Sequence, residues 1–244
     1  MAGKRYYTCN YNYFHSIDSE EKAYWLGFIM ADGCLLHSER IRHLKTQDSL
    51  QIRDYLQISL SSIDRKHLEK FNNSLCSTYP INDYFTGKSS YKPGNPYSRI
   101  IIEDKNICED LKLNGVFPKK QLKEKYPIIL EPQYDLAFIR GFFDGDGCLS
   151  CHKNKYGNPE YEFSFTGTKE ILTSIANILG LTITDKTLKP RHPERNLNNY
   201  TMKFCGTLQA LKVMNMLYDN ASIYLDRKYN KYVELVNYIN GRHI

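Results

Sequence analysis

The chain lacks any long apolar run. Nothing in it approaches the roughly 20 consecutive apolar residues of a membrane-spanning helix. The opening stretch, MAGKRYYTCNYNYF, has no hydrophobic core of a signal peptide. These absences predict an intracellular protein, in a cytoplasm or an organelle, with no membrane partner. Seven cysteines are present, and in a reducing compartment they are expected as thiols rather than as a disulfide framework. Sequences flanking the region show no self-splicing signals, so the chain is not expected to be embedded in an intein.

What the chain has is enough material for a globular fold. Its 244 residues are 25% charged and 41% hydrophobic, a balance that excludes a disordered chain. The length suits one large domain or two halves of roughly 120 residues, each able to bury a core. A net charge of +6 and an isoelectric point near 8.8 fit a polyanionic partner without identifying one.

The organising stretch is Asp135 to Gly147, DLAFIRGFFDGDG, and a second copy lies upstream at Tyr24 to Gly33, YWLGFIMADG. Each runs apolar-x-Gly-aromatic-apolar-x-small-Asp-Gly and continues into Cys-Leu, at Cys34–Leu35 and Cys148–Leu149. Gly27 and Ala31, like Gly141 and Gly145, are small residues four apart on one helical face, which lets two backbones approach closely. Asp32 and Asp146 then close their helices just before a glycine read as the C-cap. If the helices pack side by side, the two carboxylates meet. The plainer reading is a pair of amphipathic core helices, and the duplication weighs against it.

The two copies resemble the paired motifs of a single-chain LAGLIDADG homing endonuclease. That resemblance implies an α+β fold of two pseudo-symmetric α-β-β-α-β-β-α halves. Paired motif helices would join them, and antiparallel sheets would form a DNA-binding saddle. It also implies a monomeric, site-specific double-strand DNA endonuclease that hydrolyses phosphodiesters with Mg²⁺, or Mn²⁺ as a substitute. Asp32 and Asp146 would hold the metal, with the backbone at Ala31 and Gly145 beside them. Met30 stands where the family usually has a first acid, whereas the second motif keeps Asp144, read here as structural. The family places a lysine after the last helix of each half, which points to Lys120 and Lys228, with Lys119, Lys123 and Arg227 as competitors. A polar residue that positions water should lie late in each second strand, but the matching positions are Leu60 and Phe165, so that role stays unassigned. Two other functions share the fold: an RNA-binding maturase acting on intron RNA, and a regulator that binds DNA without cutting.

The chain in order supports the duplication. An aromatic N-terminal arm (1–16) precedes the first half (17–116), a linker rich in Pro and Lys (117–132) follows, and the second half is 133–244. Strand-like runs at about Cys34–Thr46 and Leu50–Leu60 come first, the second with Tyr55 breaking its alternation, read as a bulge or register shift. A helix over Asp64–Cys76, two strands around the Gly87–Pro96 turn and a short helix at Cys108–Leu111 complete the half. Phe163–Leu179 repeats Ile58–Leu75, and Tyr200–Met214 repeats Tyr97–Leu111. The step between motifs exceeds these later steps by roughly ten residues, placed as an insertion around Glu39–Ser49.

Carboxylates at helix C-termini sit at the negative end of the dipole and repel each other, so cations between them are needed. Hard oxygen ligands and a phosphate substrate select Mg²⁺. Basic and amide residues on the strands are candidates for reading bases and holding phosphates. They are Arg40, Arg42, Lys45, Gln51, Arg53, Arg99 and Lys105 in the first half. The second half has Lys153, Asn154, Lys155, Glu162, Lys186, Lys189, Arg191 and Lys203. Cys148-Leu-Ser-Cys151-His152 matches a haem-attachment pattern. It is set aside, since no exported haem-enclosing fold is evident and Cys34 lacks the partners, and zinc lacks a second ligand pair. Double-stranded DNA is the expected partner. Both halves lie in one chain yet differ in their exposed strand residues, so a monomer should bind a long, imperfectly palindromic site. Paired helix feet can reach both strands only across a minor groove, so end-sequencing of products should show short 3′ overhangs.

Overall fold

A computed structural model describes residues 6–43, 48–90, 92–118, 122–127, 130–195 and 197–241. The chain forms two compact units: residues 1–17 with 32–120, and residues 18–31 with 121–244.

The first unit is an antiparallel sheet in the order β1-β2-β4-β3. Its strands are β1 (Gly33–His43), β2 (Asp48–Ser61), β3 (Ile81–Phe85) and β4 (Pro96–Glu103), with helices α2 (Arg65–Ser74) and α3 (Lys105–Leu113). Period-2 alternation sorts the side chains: on β4, Ser98, Ile100 and Ile102 are buried while Arg99, Ile101 and Glu103 are not. The buried face carries α2 through Leu68 and Phe71 and α3 through Ile107, Cys108 and Leu111. Asp104 starts α3 by accepting the Ile107 N–H at 3.0 Å.

Tyr55 makes no bulge. The β1–β2 ladder runs unbroken from Gly33 opposite Ile58 to His43 opposite Asp48. The interruption in the apolar pattern is Asp54, which keeps its inward place because His37 Nδ1 lies 2.9 Å and Lys112 Nζ 3.5 Å from its carboxylate. Those partners hold Asp54 below the usual carboxylate range. The N-terminal arm is also tied down. Asn10 N–H donates to the Leu75 carbonyl at 2.8 Å, Thr78 N–H to the Thr8 carbonyl at 2.8 Å, and Phe14 is fully buried.

The second unit holds α1 (Glu20–Asp32, up to Ala31), α4 (Asp135–Asp146) and an antiparallel sheet in the order β5-β6-β8-β7. The strands are β5 (Gly147–Lys153), β6 (Pro159–Gly167), β7 (Leu188–Pro190) and β8 (Tyr200–Cys205), with helices α5 (Lys169–Ile178), α6 (Thr207–Tyr218) and α7 (Asp226–Asn240). Each half therefore has the expected α-β-β-α-β-β-α order, and the second adds α7. That helix is a finding of the structure. The segment LDRKYNKY reads as a basic stretch, yet Lys228, Tyr232 and Leu235 recur at helical spacing. A lysine in the inward stripe hid the pattern, because a lysine normally marks a solvated face.

Candidate active site and nucleic-acid face

Helices α1 and α4 touch backbone to backbone. A Cβ on Gly27 would lie 2.0 Å from the Phe138 carbonyl oxygen, and one on Gly141 would lie 1.9 Å from that of Tyr24. Only hydrogen fits at either position, as the spacing of small residues predicts. Phe28 and Phe138 are buried in the same unit.

Beneath this contact lies a buried polar cluster centred on Asp144. Its carboxylate accepts from the Tyr24 hydroxyl at 2.7 Å, the Tyr218 hydroxyl at 2.6 Å and the Leu225 N–H at 2.7 Å. Burial raises its pKa, while the Lys228 charge and these donors pull it back. Arg140, one turn earlier on α4, donates Nε–H to the Ile223 carbonyl and Nη1–H to the Leu217 carbonyl, both at 2.9 Å. Desolvation lowers the Arg140 pKa. One carboxylate thus ties α1, α4, the end of α6 and the start of α7 together. Asp144 is thus a structural carboxylate of large consequence. Asp144→Asn should lower stability by about 2 kcal/mol, because the amide removes the charge that the buried cations and three donors face. Chemical unfolding of the variant measures this, and an unchanged midpoint would contradict it.

Lys228 lies on α7 rather than in a loop, and it is buried. Its ammonium donates to the carbonyls of Phe143 at 2.5 Å and Gly147 at 2.7 Å, with that of Gly145 at 3.5 Å. A cation there complements the negative end of α4. Asp146 is the last residue of α4 and half-buried, and β5 begins at Gly147. Gly147 is not a left-handed cap: its φ is −93° and its ψ 167°. Glycine is needed there for space, since a Cβ would sit 2.2 Å from the Phe143 ring. In the same way Asp32 ends α1 and β1 begins at Gly33. Lys120 and Lys119 fall outside the described residues; Lys123 and the exposed Arg227 are within them.

Leu60 and Phe165 are buried and carry no polar function. The ladders instead put Gln57 opposite Cys34 and Ser164 opposite Cys148, one residue beyond each motif glycine. These half-buried polar side chains on the outer faces could be found only once the register was known.

The outer face of the first sheet collects Arg40, Gln51, Arg53 and Arg99, which share one parity along the ladders, while the side chain of Arg42 lies outside the described ones. Arg53 is paired with Glu103 at 3.4 Å. Lys45 lies outside the described residues, and Lys105 starts α3 instead of sitting on a strand. On the second sheet, Lys203 and Lys189 share the outer face with Ser164 and Thr201. Lys203 is bound to Glu162 at 2.8 Å. Lys153 has the opposite parity at the end of β5. Asn154 uses its side chain to close the β5–β6 turn by accepting from the N–H groups of Tyr156 and Asn158. Lys155 lies over the Tyr156 ring, Lys186 sits in the turn before β7, and Arg191 follows β7.

No family model and no curated protein matches the chain. Solved structures do. A LAGLIDADG homing endonuclease, I-GzeII in complex with its DNA target, matches at TM-score 0.57 and 12% identity over 89% of this chain and 88% of that one. The meganuclease I-SmaMI bound to uncleaveable DNA matches at TM-score 0.58 and 14% identity over 89% of each chain. I-LtrWI, a LAGLIDADG homing endonuclease bound to target DNA, matches at TM-score 0.57 and 13% identity over 89% of this chain and 90% of that one. Paired glycine-faced helices, two four-stranded antiparallel sheets and these likenesses over most of the chain agree on one architecture: this protein has the fold of the LAGLIDADG homing endonucleases.

Proposed function

We propose that the protein is a site-specific double-strand DNA endonuclease, acting as a monomer on a long asymmetric site. The observation that carries the reading is the end of each glycine-faced helix. Asp32 closes α1 and Asp146 closes α4, and each is followed at once by the first strand of a sheet with basic and other polar residues on its outer face.

The donors on offer suit Mg²⁺. Among the described residues no group of three or more His, Cys, Asp or Glu side chains forms a closed cage. A carboxylate with nearby backbone oxygens suits an ion that keeps several waters and takes phosphate oxygens from its substrate. We assign Asp32 and Asp146 as the carboxylate ligands, with the carbonyls of Ala31 and Gly145 in support. Gly145 is the weaker donor, because the Lys228 ammonium already lies 3.5 Å from its oxygen. When bound, Mg²⁺ would activate water and stabilise the leaving oxygen. Lys228, fixed on the carbonyls around Asp146, adds positive charge beside the scissile phosphate, and we assign Lys120 the corresponding place in the first half. Outer-face arginines and lysines hold the duplex.

The test is incubation with the chromosomal sequence on either side of the gene, joined without the interruption. One double-strand cut in Mg²⁺ and none in EDTA is expected; no cut, or scattered cuts, overturns the reading. Binding to the same duplex should weaken steeply as salt rises, since phosphate contacts release counterions. An affinity indifferent to salt would contradict a sheet-to-phosphate interface.

A further inference from the structure

Among the described basic residues on the two sheets, Arg99 is held in a fixed pose by hydroxyls and aromatic rings instead of by an acid. It lies on β4 opposite Ser59 of β2 and Asn82 of β3. Its Nε–H donates to the Ser59 hydroxyl at 3.0 Å and its Nη2 to the Tyr97 hydroxyl at 3.3 Å. The guanidinium carbon lies 5.2 Å from the centroids of both the Tyr84 and the Tyr97 ring. Those rings stack on each other at 5.4 Å and 23°. Arg53 and Lys203, by contrast, are paired with Glu103 and Glu162.

A guanidinium has five N–H donors in a rigid fork. Two are used here, so both hydrogens of Nη1 and one of Nη2 remain. One Nη1 hydrogen and the remaining Nη2 hydrogen give the planar fork a pair of parallel donors, and its stacked and hydrogen-bonded pose removes most of the entropy such a side chain loses on binding. Two parallel donors match the O6 and N7 acceptors on the major-groove edge of guanine, and no other base presents that pair. We infer that Arg99 reads a guanine in the half-site bound by the first sheet, with Ser59, Tyr84 and Tyr97 as its positioning residues. This rests on the endonuclease reading above.

The second sheet does not repeat the device. The ungapped sequence repeat sets Met202 in the place of Arg99, but the register differs by one residue: counted along the ladders from Gly33 and Gly147, Thr166 and Thr201 take the places of Ser59 and Arg99. A threonine hydroxyl can donate or accept and does not discriminate as the fork does. The half-sites should therefore differ in information at this position, with the guanine on the first unit's side alone.

The experiment is selection from a randomised duplex pool by the wild-type chain, Arg99→Lys and Ser59→Ala, followed by competition binding on the winning sequence. Wild type should enrich one asymmetric sequence with a dominant guanine in one half. Arg99→Lys keeps the charge and loses the fork. It should enrich the same sequence with that single column relaxed. Replacing the guanine by adenine should weaken wild type about tenfold or more and Arg99→Lys by much less. Ser59→Ala should relax the same column partially. A uniform loss of affinity with an unchanged selected sequence and a shallower salt dependence would make Arg99 a phosphate contact and overturn the inference. Enrichment of no sequence by wild type would instead overturn the endonuclease reading, a result obtained without any variant.

Discussion

Asp32→Asn and Asp146→Asn should each abolish double-strand cleavage while leaving sequence-specific binding intact or tighter. The amide keeps the side chain's shape and much of its hydrogen bonding, so α1 and α4 should pack as before. It removes a full negative charge from a metal ligand, and with it most of the affinity for Mg²⁺. Loss of the metal's stabilisation of developing charge should cost about a hundredfold or more in rate. Binding need not suffer, because the same substitution removes a charge that repels incoming phosphates. Cleavage and gel-shift measurements on one substrate separate the two effects. Asp144→Asn is the control: it lowers stability, yet once the protein is kept cold enough to stay folded, cleavage should persist. Parental cutting by folded Asp32→Asn would show that the acids are wrongly assigned.

Gly141→Val should be among the most destabilising single substitutions in the chain. The added Cβ would meet the Tyr24 carbonyl oxygen at 1.9 Å, and a backbone group cannot swing aside as a side chain can. The helices must separate, which breaks the Tyr24–Asp144 hydrogen bond and opens the layer beneath. Overpacking of this kind costs about 3 kcal/mol or more. Gly27→Val faces the Phe138 carbonyl at 2.0 Å and should behave alike. Gly157, at φ +81° with nothing near its Cβ, lies in the β5–β6 turn, and a change there should cost much less. Thermal melts of the three variants rank them. A Gly141→Val protein that melts with the parent would contradict the close helix contact.

These glycines also show how much of the fold was legible. The duplicated motif, the small residues four apart and the repeated element order were all in the sequence, because period and spacing report directly on which face is buried. The polar interior was not. Nothing in the local pattern around Tyr24, Tyr218 or Leu225 says that they converge on Asp144, since α1, α4 and the α6–α7 junction are far apart in the chain. The family resemblance and the repeat offset single out Lys228 in the sequence, but its burial and its place on α7 are not legible there, because a lysine in an inward stripe imitates an exposed segment. Asp54 misled in the same way: a paired carboxylate facing inward looked like a broken strand. Arg99 could be listed among many cations from sequence, whereas its distinction needed the register that sets Ser59, Tyr84 and Tyr97 around it.

The central claim is that Asp32 and Asp146 hold divalent metal against the DNA backbone. A crystal of the protein with its selected duplex and Mn²⁺, measured for anomalous scattering, tests this directly. The account predicts anomalous peaks within bonding distance of the Asp32 and Asp146 carboxylates and of phosphate oxygens. Peaks elsewhere on the protein, with both carboxylates bare in a DNA-bound complex, would contradict it.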